Sequence, residues 1–482
     1  MAGIGFELRR LLQQETFTAQ VRAYAFGAII VLGPFLCAIL CLAGLGLGSA
    51  SVSDLATRQT FTGAVTYVFG GSLVTTGLVQ VVTTRYLADK VYRGEYDTLI
   101  QALFPVLLLT VGLLLLVAIP ALARLDLSPL AIVTTLALAI TLGLIWVTIV
   151  FVSSVHGHRA IVAIFLVGSA VALGLGLTLL RPFGLEGMLF GYAAGHFLIL
   201  ALLVNHLVRQ FGLPRRWDWG VLGYVQTFPS LLAIGFLQAL GIWIDKFVFW
   251  TSELALSSGG FVTAPRYDSA IFLAVLSAQP AVVHFFVKQE ADFEQAFHAY
   301  FDEVFFRSSF DKIRDAATEL RNACYRALTE ILWIQGVITF LCLVHAEAIL
   351  RTVGLPVSQI GMFRSGVVGS LFLIFMMFAN VILLYLDRRR EVLISVTAFA
   401  LVNLGASLVS LRLGFPYFGF GYAVACLIGM VTSLYHLMAQ LEHLEFQTFA
   451  MIPIMGQRRA GRGLRARPTG LYGRYNPVTR RP

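Results

Sequence analysis

Residues 99–123 read LIQALFPVLLLTVGLLLLVAIPALA, a run without one charged side chain. As an α-helix rising 1.5 Å per residue it would reach about 37 Å, more than the about 30 Å hydrocarbon core of a bilayer. Comparable runs recur on both sides of it, from Tyr24 to Leu437, and the chain as a whole is 58% hydrophobic and only 13% charged. A water-soluble core cannot hide that much apolar surface. The sequence therefore predicts an all-α integral membrane protein with spans near 23–46, 61–84, 99–123, 128–152, 160–180, 183–207, 224–250, 268–288, 327–347, 362–386, 391–411 and 416–440. Twelve crossings return the C-terminus to the side on which the chain begins.

Positive charge tests that count, because Lys and Arg accumulate in cytoplasmic segments. With the N-terminus inside, those segments hold Arg9, Arg10 and Arg22, then Arg85, Lys90 and Arg93, then Arg159, then Arg209, Arg215 and Arg216. The segment from Lys288 to Arg326, the triplet Arg388 to Arg390 and the Arg-rich tail complete the series. Most of the 35 basic residues fall on one side, so the net charge of +9 reads as topology and not as a nucleic-acid surface. The expected arrangement is a multi-pass membrane protein with both termini cytoplasmic.

The loop 209–223, with Pro-Arg-Arg-Trp, divides two groups of six spans. The expected organisation is an amphipathic N-terminal surface helix (1–22), an N-lobe (23–208), the inter-lobe loop, a C-lobe (224–441) and a basic tail (442–482). The first helix is not a cleavable signal, because Ile4, Leu8, Leu11 and Leu12 form a stripe beside Glu7, Arg9 and Arg10. Pro34 in GPFL and Pro229 in FPSL occupy matching places in the first and seventh spans. They read either as paired helix breaks or as ordinary membrane prolines. Within the C-lobe, 288–326 is charged and carries Phe293, Phe297, Tyr300, Phe301, Val304 and Phe305 at helical spacing. Such a cytoplasmic insertion either packs under the bundle or presents Phe293, Phe297 and Phe301 to a partner. The tail has no apolar periodicity and suits anionic lipid headgroups.

Enzyme signatures are missing. A phosphate loop needs Gly-rich sequence ending in Lys then Ser or Thr, whereas the four lysines precede Val91, Phe247, Gln289 and Ile313. There is no Asp-x-Asp of a polysaccharide synthase, and Gln210 to Trp217 has the wrong spacing for a Gln-x-x-Arg-Trp motif. The outer connections are short. The five cysteines show no metal spacing, and His156 and His158 alone do not hold a metal. No catalytic residue, cofactor or metal is expected.

Polar groups inside spans are the candidate transport residues. Thr62, Thr66, Thr76, Gln80 and Thr84 share a face of the second span, with Arg85 at its inner end; this is either a water-lined pathway or a packing interface. Asp245 and Lys246 lie between Trp243 and Trp250. Charges there are costly, about 2.5 to 3.5 kcal/mol at a helix centre. Neighbours point roughly 100° apart on a helix, so the two need not pair. They read either as snorkelling groups or as a pathway site facing Arg266 and Asp268. His196 is either a proton-linked group or a hydrogen-bonded core histidine.

Several strings resemble one family: MAGIGFELRRLL (1–12), GPFL (33–36), TRYLADKVYRGEYDTL (84–99), DKFVFWTS (245–252), APRYDSAIFLAVLSAQP (264–280), LLYLDRRREVL (383–393) and GFPYFGFGYA (414–423). They are similar to the PelG family of Pel exopolysaccharide transporters, a branch of the MATE-like MOP flippase superfamily. The likeness implies two six-helix lobes around a central cavity and export of a polymer similar to partially deacetylated, N-acetylgalactosamine-rich Pel. It also implies a cytoplasmic glycosyltransferase (polymerase) partner and membrane subunits that sense cyclic di-GMP. It does not extend to the Arg-rich tail. A lipid-linked oligosaccharide flippase would need a basic cavity for pyrophosphate, and a MATE-type cation antiporter a titrating intramembrane carboxylate, for which Asp245 is the chief candidate. A scaffold that transports nothing is the remaining alternative.

Overall fold

The computed structural model describes residues 17–155, 158–288, 292–306 and 308–451. The expected helix before Phe17, His156 and the tail beyond Met451 lie outside the described residues. In chain order the helices are α1 (Phe17–Ser49), α2 (Leu55–Tyr92), α3 (Asp97–Leu122), α4 (Pro129–Ser154), α5 (His158–Phe211), α6 (Gly220–Thr227) and α7 (Pro229–Phe249). A small hairpin, β1 (Leu256–Ser258) and β2 (Phe261–Thr263), follows. Then come α8 (Pro265–Leu276), α9 (Gln279–Lys288), α10 (Glu294–Phe305), α11 (Phe310–Val344), α12 (Ala346–Val353), α13 (Ile360–Tyr385), α14 (Arg389–Leu413), α15 (Phe420–Glu442) and α16 (Leu444–Met451).

Among the described residues eleven stretches are long and apolar enough to cross a membrane, but one of them, 160–211, has 52 residues. A straight helix of that length would run about 78 Å, far more than one bilayer. It is folded back at Gly184, whose φ of 58° and ψ of −134° are not helical. The two arms pack closely: Gly191 lies against the Gly176 backbone and Gly195 against Ala172. Each arm is a crossing, so the described chain makes twelve, as the hydrophobic runs predict.

The packing sorts these crossings into two lobes. In the first, α5 packs on α1 and α4, while α4 also packs on α2 and α3; in the second, α13, α14 and α15 pack together, with α7 on α14 and α8 on α13. The lobes meet where α2 packs on α7 and α1 on α9. Lipid-facing positions carry bare apolar side chains, among them Leu40 (68% exposed), Leu116 (73%) and Leu401 (65%).

The two prolines do not make a matched pair of breaks. Pro34 sits inside the uninterrupted α1, whereas Pro229 opens α7 after a break at Phe228. Tertiary contacts hold α1 continuous around a residue that removes one backbone hydrogen bond. The insertion is also differently built. Its second part is not a separate helix, because α11 runs 35 residues from Phe310 straight into the ninth crossing. Phe293 (2% exposed) and Phe297 (8%) face inward, their rings 5.4 and 5.7 Å from that of Tyr385, and Phe301 packs on the same core. The aromatic face offered above as a partner dock therefore seats the insertion under the C-lobe.

Candidate transport pathway

What sets α2 and α7 apart is that they pack on each other across the two lobes. From 63 to 83 on α2 and from 230 to 249 on α7 no side chain is exposed, although many are half-buried, and α13 is covered in the same way from 365 to 385. Each of α2 and α7 is covered by its partner across the lobes and by a helix of its own lobe, α4 behind α2 and α14 behind α7. Glycines let them touch: a methyl built on Gly70 would stand 2.8 Å from the Trp243 ring, and one on Gly77 2.6 Å from the Gly235 carbonyl oxygen. Absence of a Cβ is what allows this approach.

Along α2 the polar face is spent largely on its own helix. Thr62 donates to Arg58 O (2.9 Å), Thr66 to Thr62 O (2.8 Å), Thr76 to Ser72 O (2.8 Å) and Thr84 to Gln80 O (2.8 Å). Gln80 Nε2 donates to Thr76 Oγ1 at 3.1 Å. Thr76 is fully buried, so it supports Gln80, which is half-buried at the seam. Back-bonded threonines of this kind make a polar helix compatible with a membrane without water.

At its Tyr92 end α2 projects beyond a bilayer's thickness, since 38 residues make about 57 Å. Its projecting end is tied to the C-lobe and the inter-lobe segment. Arg85 lies 3.4 Å from Asp89 and 3.6 Å from Asp387, and Asp387 is also paired with Arg389 at 3.1 Å. The guanidinium carbons of Arg389 and Arg85 stand 4.5 and 5.9 Å from the Phe228 ring centre. Tyr224 donates to Asp89 at 2.7 Å, and Tyr86 donates to Asp218, which also accepts from the Gly220 N–H. Asp387 has a left-handed φ of 59°, a conformation Asp tolerates better than most residues. This latch contains Arg85, which the sequence singled out, and Asp387, Asp89, Tyr86 and Tyr224, which it did not; their only hint was that several lie in the strings TRYLADKVY and LYLDRRR.

At the other end Asp245 is wholly buried, and it does pair with its neighbour. Lys246 Nζ lies 3.1 Å from both Asp245 oxygens and 3.0 Å from Ile242 O, and Tyr267 donates to Asp245 at 2.9 Å. The long Lys stem curls back along the helix, overcoming the 100° offset. Asp268 accepts from Trp250 Nε1 (3.0 Å) and from the Ala264 N–H (3.2 Å), both at Oδ2, while its Oδ1 is buried with no hydrogen-bond partner. Arg266 is exposed and makes no ion pair among the described residues. The four-residue site expected from the sequence is thus a buried Asp245–Lys246–Tyr267 cluster with Asp268 in a separate set of bonds. His196 is 3% exposed and its Nδ1 lies 2.9 Å from Tyr192 O, the arrangement of a core histidine. Among the described residues no cluster of potential metal ligands occurs.

Two lobes of six crossings joined through paired central helices define the class: this is the fold of MOP superfamily transporters. A MOP superfamily transporter from Pyrococcus furiosus superposes with a TM-score of 0.62 at 13% identity, over 87% of this chain and 96% of that one. Multidrug resistance MATE transporters captured outward-facing and inward-facing superpose with TM-scores of 0.63 and 0.61 at 13% and 12% identity. These cover 88% and 85% of this chain and 96% and 95% of theirs. No protein with a curated description matches the sequence. The chain belongs to the PelG family, exopolysaccharide exporter (EPS-E), whose sequence model matches residues 1–449.

Proposed function

We propose that this exporter passes exopolysaccharide through the seam between α2 and α7, across the bacterial inner membrane, with both chain termini cytoplasmic. The observation that carries the route is the pairing of α2 and α7 across the two lobes, with half-buried Gln80 at their seam, joined to the family assignment. The Lys and Arg bias toward the terminus side supports the orientation. The latch around Arg85 and Asp387 then closes the cytoplasmic entrance, and Gln80 lines the route behind it. Asp245 and Lys246 hold the C-lobe wall together as a neutralised pair. The protein carries no catalytic chemistry of its own.

A Pel-like, N-acetylgalactosamine-rich chain would reach this entrance from a cytoplasmic glycosyltransferase, with other inner-membrane subunits, a cyclic di-GMP sensor among them, controlling delivery. A test is complementation of a strain lacking the exporter: replacing Gln80 with Leu should lower secreted polymer several-fold at equal membrane abundance. Replacing lipid-facing Leu116 with Ala should not. Equal secretion by the two variants would remove the seam as the route.

A further inference from the structure

We propose that the Leu256–Thr263 hairpin is an exit strap, a C-lobe segment that fastens onto the N-lobe, closes the outer end of the seam and must release for polymer to leave. The proposal rests on the export reading above.

Two strands of three residues joined by a tight turn have almost no stability of their own. What holds them is the N-lobe. Ser258 Oγ is 2.7 Å from Thr60 Oγ1 and donates to Ala56 O at 3.2 Å. Tyr67 bridges to both backbone groups of one residue, donating to Val262 O at 2.8 Å and accepting from Val262 N at 3.2 Å. Phe261 is 1% exposed and lies within the N-lobe core that also holds Phe61 and Tyr192. A methyl on Gly63 would stand 2.9 Å from Phe261 Cβ, so the glycine makes the socket for that ring. The turn glycines, Gly259 and Gly260, have φ of 58° and 82°, and a methyl on Gly260 would stand 3.1 Å from the Asp126 N–H nitrogen. The hairpin therefore spans from the C-lobe to α2 and to the α3–α4 connection.

Both ends of the strap converge on one carboxylate. Asp268 Oδ2 accepts from Trp250 at the start of the segment and from Ala264 at its end. Trp250 in turn stacks on Tyr67, with centroids 4.5 Å apart and planes at 14°. Asp268 is a positioning residue that sets the strap's two roots, and Tyr67 is the buckle on the opposite lobe. The seam is thereby crossed at the hairpin end as well as at the latch, so passage to the outside requires one of these crossings to part. The strap's attachments are a few hydrogen bonds, one inserted ring and the Trp250–Tyr67 stack, with no covalent or ionic tie among the described residues, and they can separate as a unit.

The test uses the full-length exporter in cells, with Thr60 and Ser258 replaced by cysteine together and singly. Oxidation with copper phenanthroline should cross-link the double variant and lower polymer secretion at least ten-fold. A reductant should restore it, and neither single variant should respond. Undiminished secretion with the cross-link present in most molecules overturns the strap, and so does failure of the pair to cross-link at all. Spin labels on S257C and D126C in the purified full chain give an independent readout: a docked and a longer distance are expected, and one docked distance under every condition overturns the proposal. Absence of secretion from the unmodified exporter strikes the export reading instead, and the spin-label distances still decide the strap.

Discussion

Gly77 of α2 and Gly235 of α7 meet backbone to backbone across the two lobes, and a methyl on Gly77 would stand 2.6 Å from the Gly235 carbonyl oxygen. That contact sets how closely the central helices approach. Gly77→Val should force them apart, costing about 1–3 kcal/mol as overpacking does. Thermal unfolding of the purified protein in detergent should show a lowered midpoint. Gly46→Ala, at a glycine with nothing within 4 Å of an added methyl, should leave the midpoint in place.

The buried pair at the hairpin end makes a second prediction. Asp245→Ala strands Lys246 in an apolar setting and removes the acceptor of Tyr267, a loss of the order of 3–5 kcal/mol for breaking a buried ion pair. The variant should be poorly stable as well as poorly active. Replacing both residues at once, Asp245→Asn with Lys246→Met, should recover most of the folded protein in a size-exclusion and melting assay. Equal loss of folded protein from the single and double changes would show that the damage does not come from stranding Lys246.

A third concerns the latch. Arg85 reaches Asp89 through Nε and Asp387 through a terminal nitrogen, which a lysine's single ammonium cannot reproduce. Arg85→Lys and Asp387→Asn should therefore both loosen the latch end of the seam. Partly exposed pairs contribute little individually, about 1 kcal/mol or less. The effect should appear as a several-fold faster maleimide labelling of a cysteine placed at half-buried Val225, with the melting point nearly unchanged.

The insertion supplies a fourth. Phe297→Asp places a charge against Tyr385 in the core and should detach α10, visible as rapid proteolysis between Lys288 and Phe310. Phe306→Asp, at a residue 61% exposed, should leave the protease pattern unchanged.

Most of the membrane fold is legible in the sequence because a bilayer demands long apolar helices, and even the fold at Gly184 follows from a run too long for one crossing next to Arg181, Pro182 and Phe183. The site was less so. The pairing of Asp245 with Lys246 depends on a flexible side chain curling back to Ile242 O, which an angular argument about helix neighbours does not capture. Bonds such as Tyr67 to Val262 join residues nearly two hundred positions apart and leave no local periodicity. The inward turn of Phe293 and Phe297 was one of two orientations an amphipathic helix permits, and only the position of Tyr385 distinguishes them.

The central claim is polymer passage through this protein, fed from the cytoplasmic side. If the polymer carries amino groups, each charge moved outward against an inside-negative potential costs about 2.3 kcal/mol per 100 mV. Elongation by the glycosyltransferase, or passage of neutral acetylated sugars, offsets that cost. The direct measurement is reconstitution in vesicles holding such a potential. Product should cross when the polymerase and sugar nucleotide are supplied, and preformed cationic polymer should not cross with the exporter alone. Robust outward movement of preformed cationic polymer by the purified exporter, against that potential and without an ion gradient, would contradict the account.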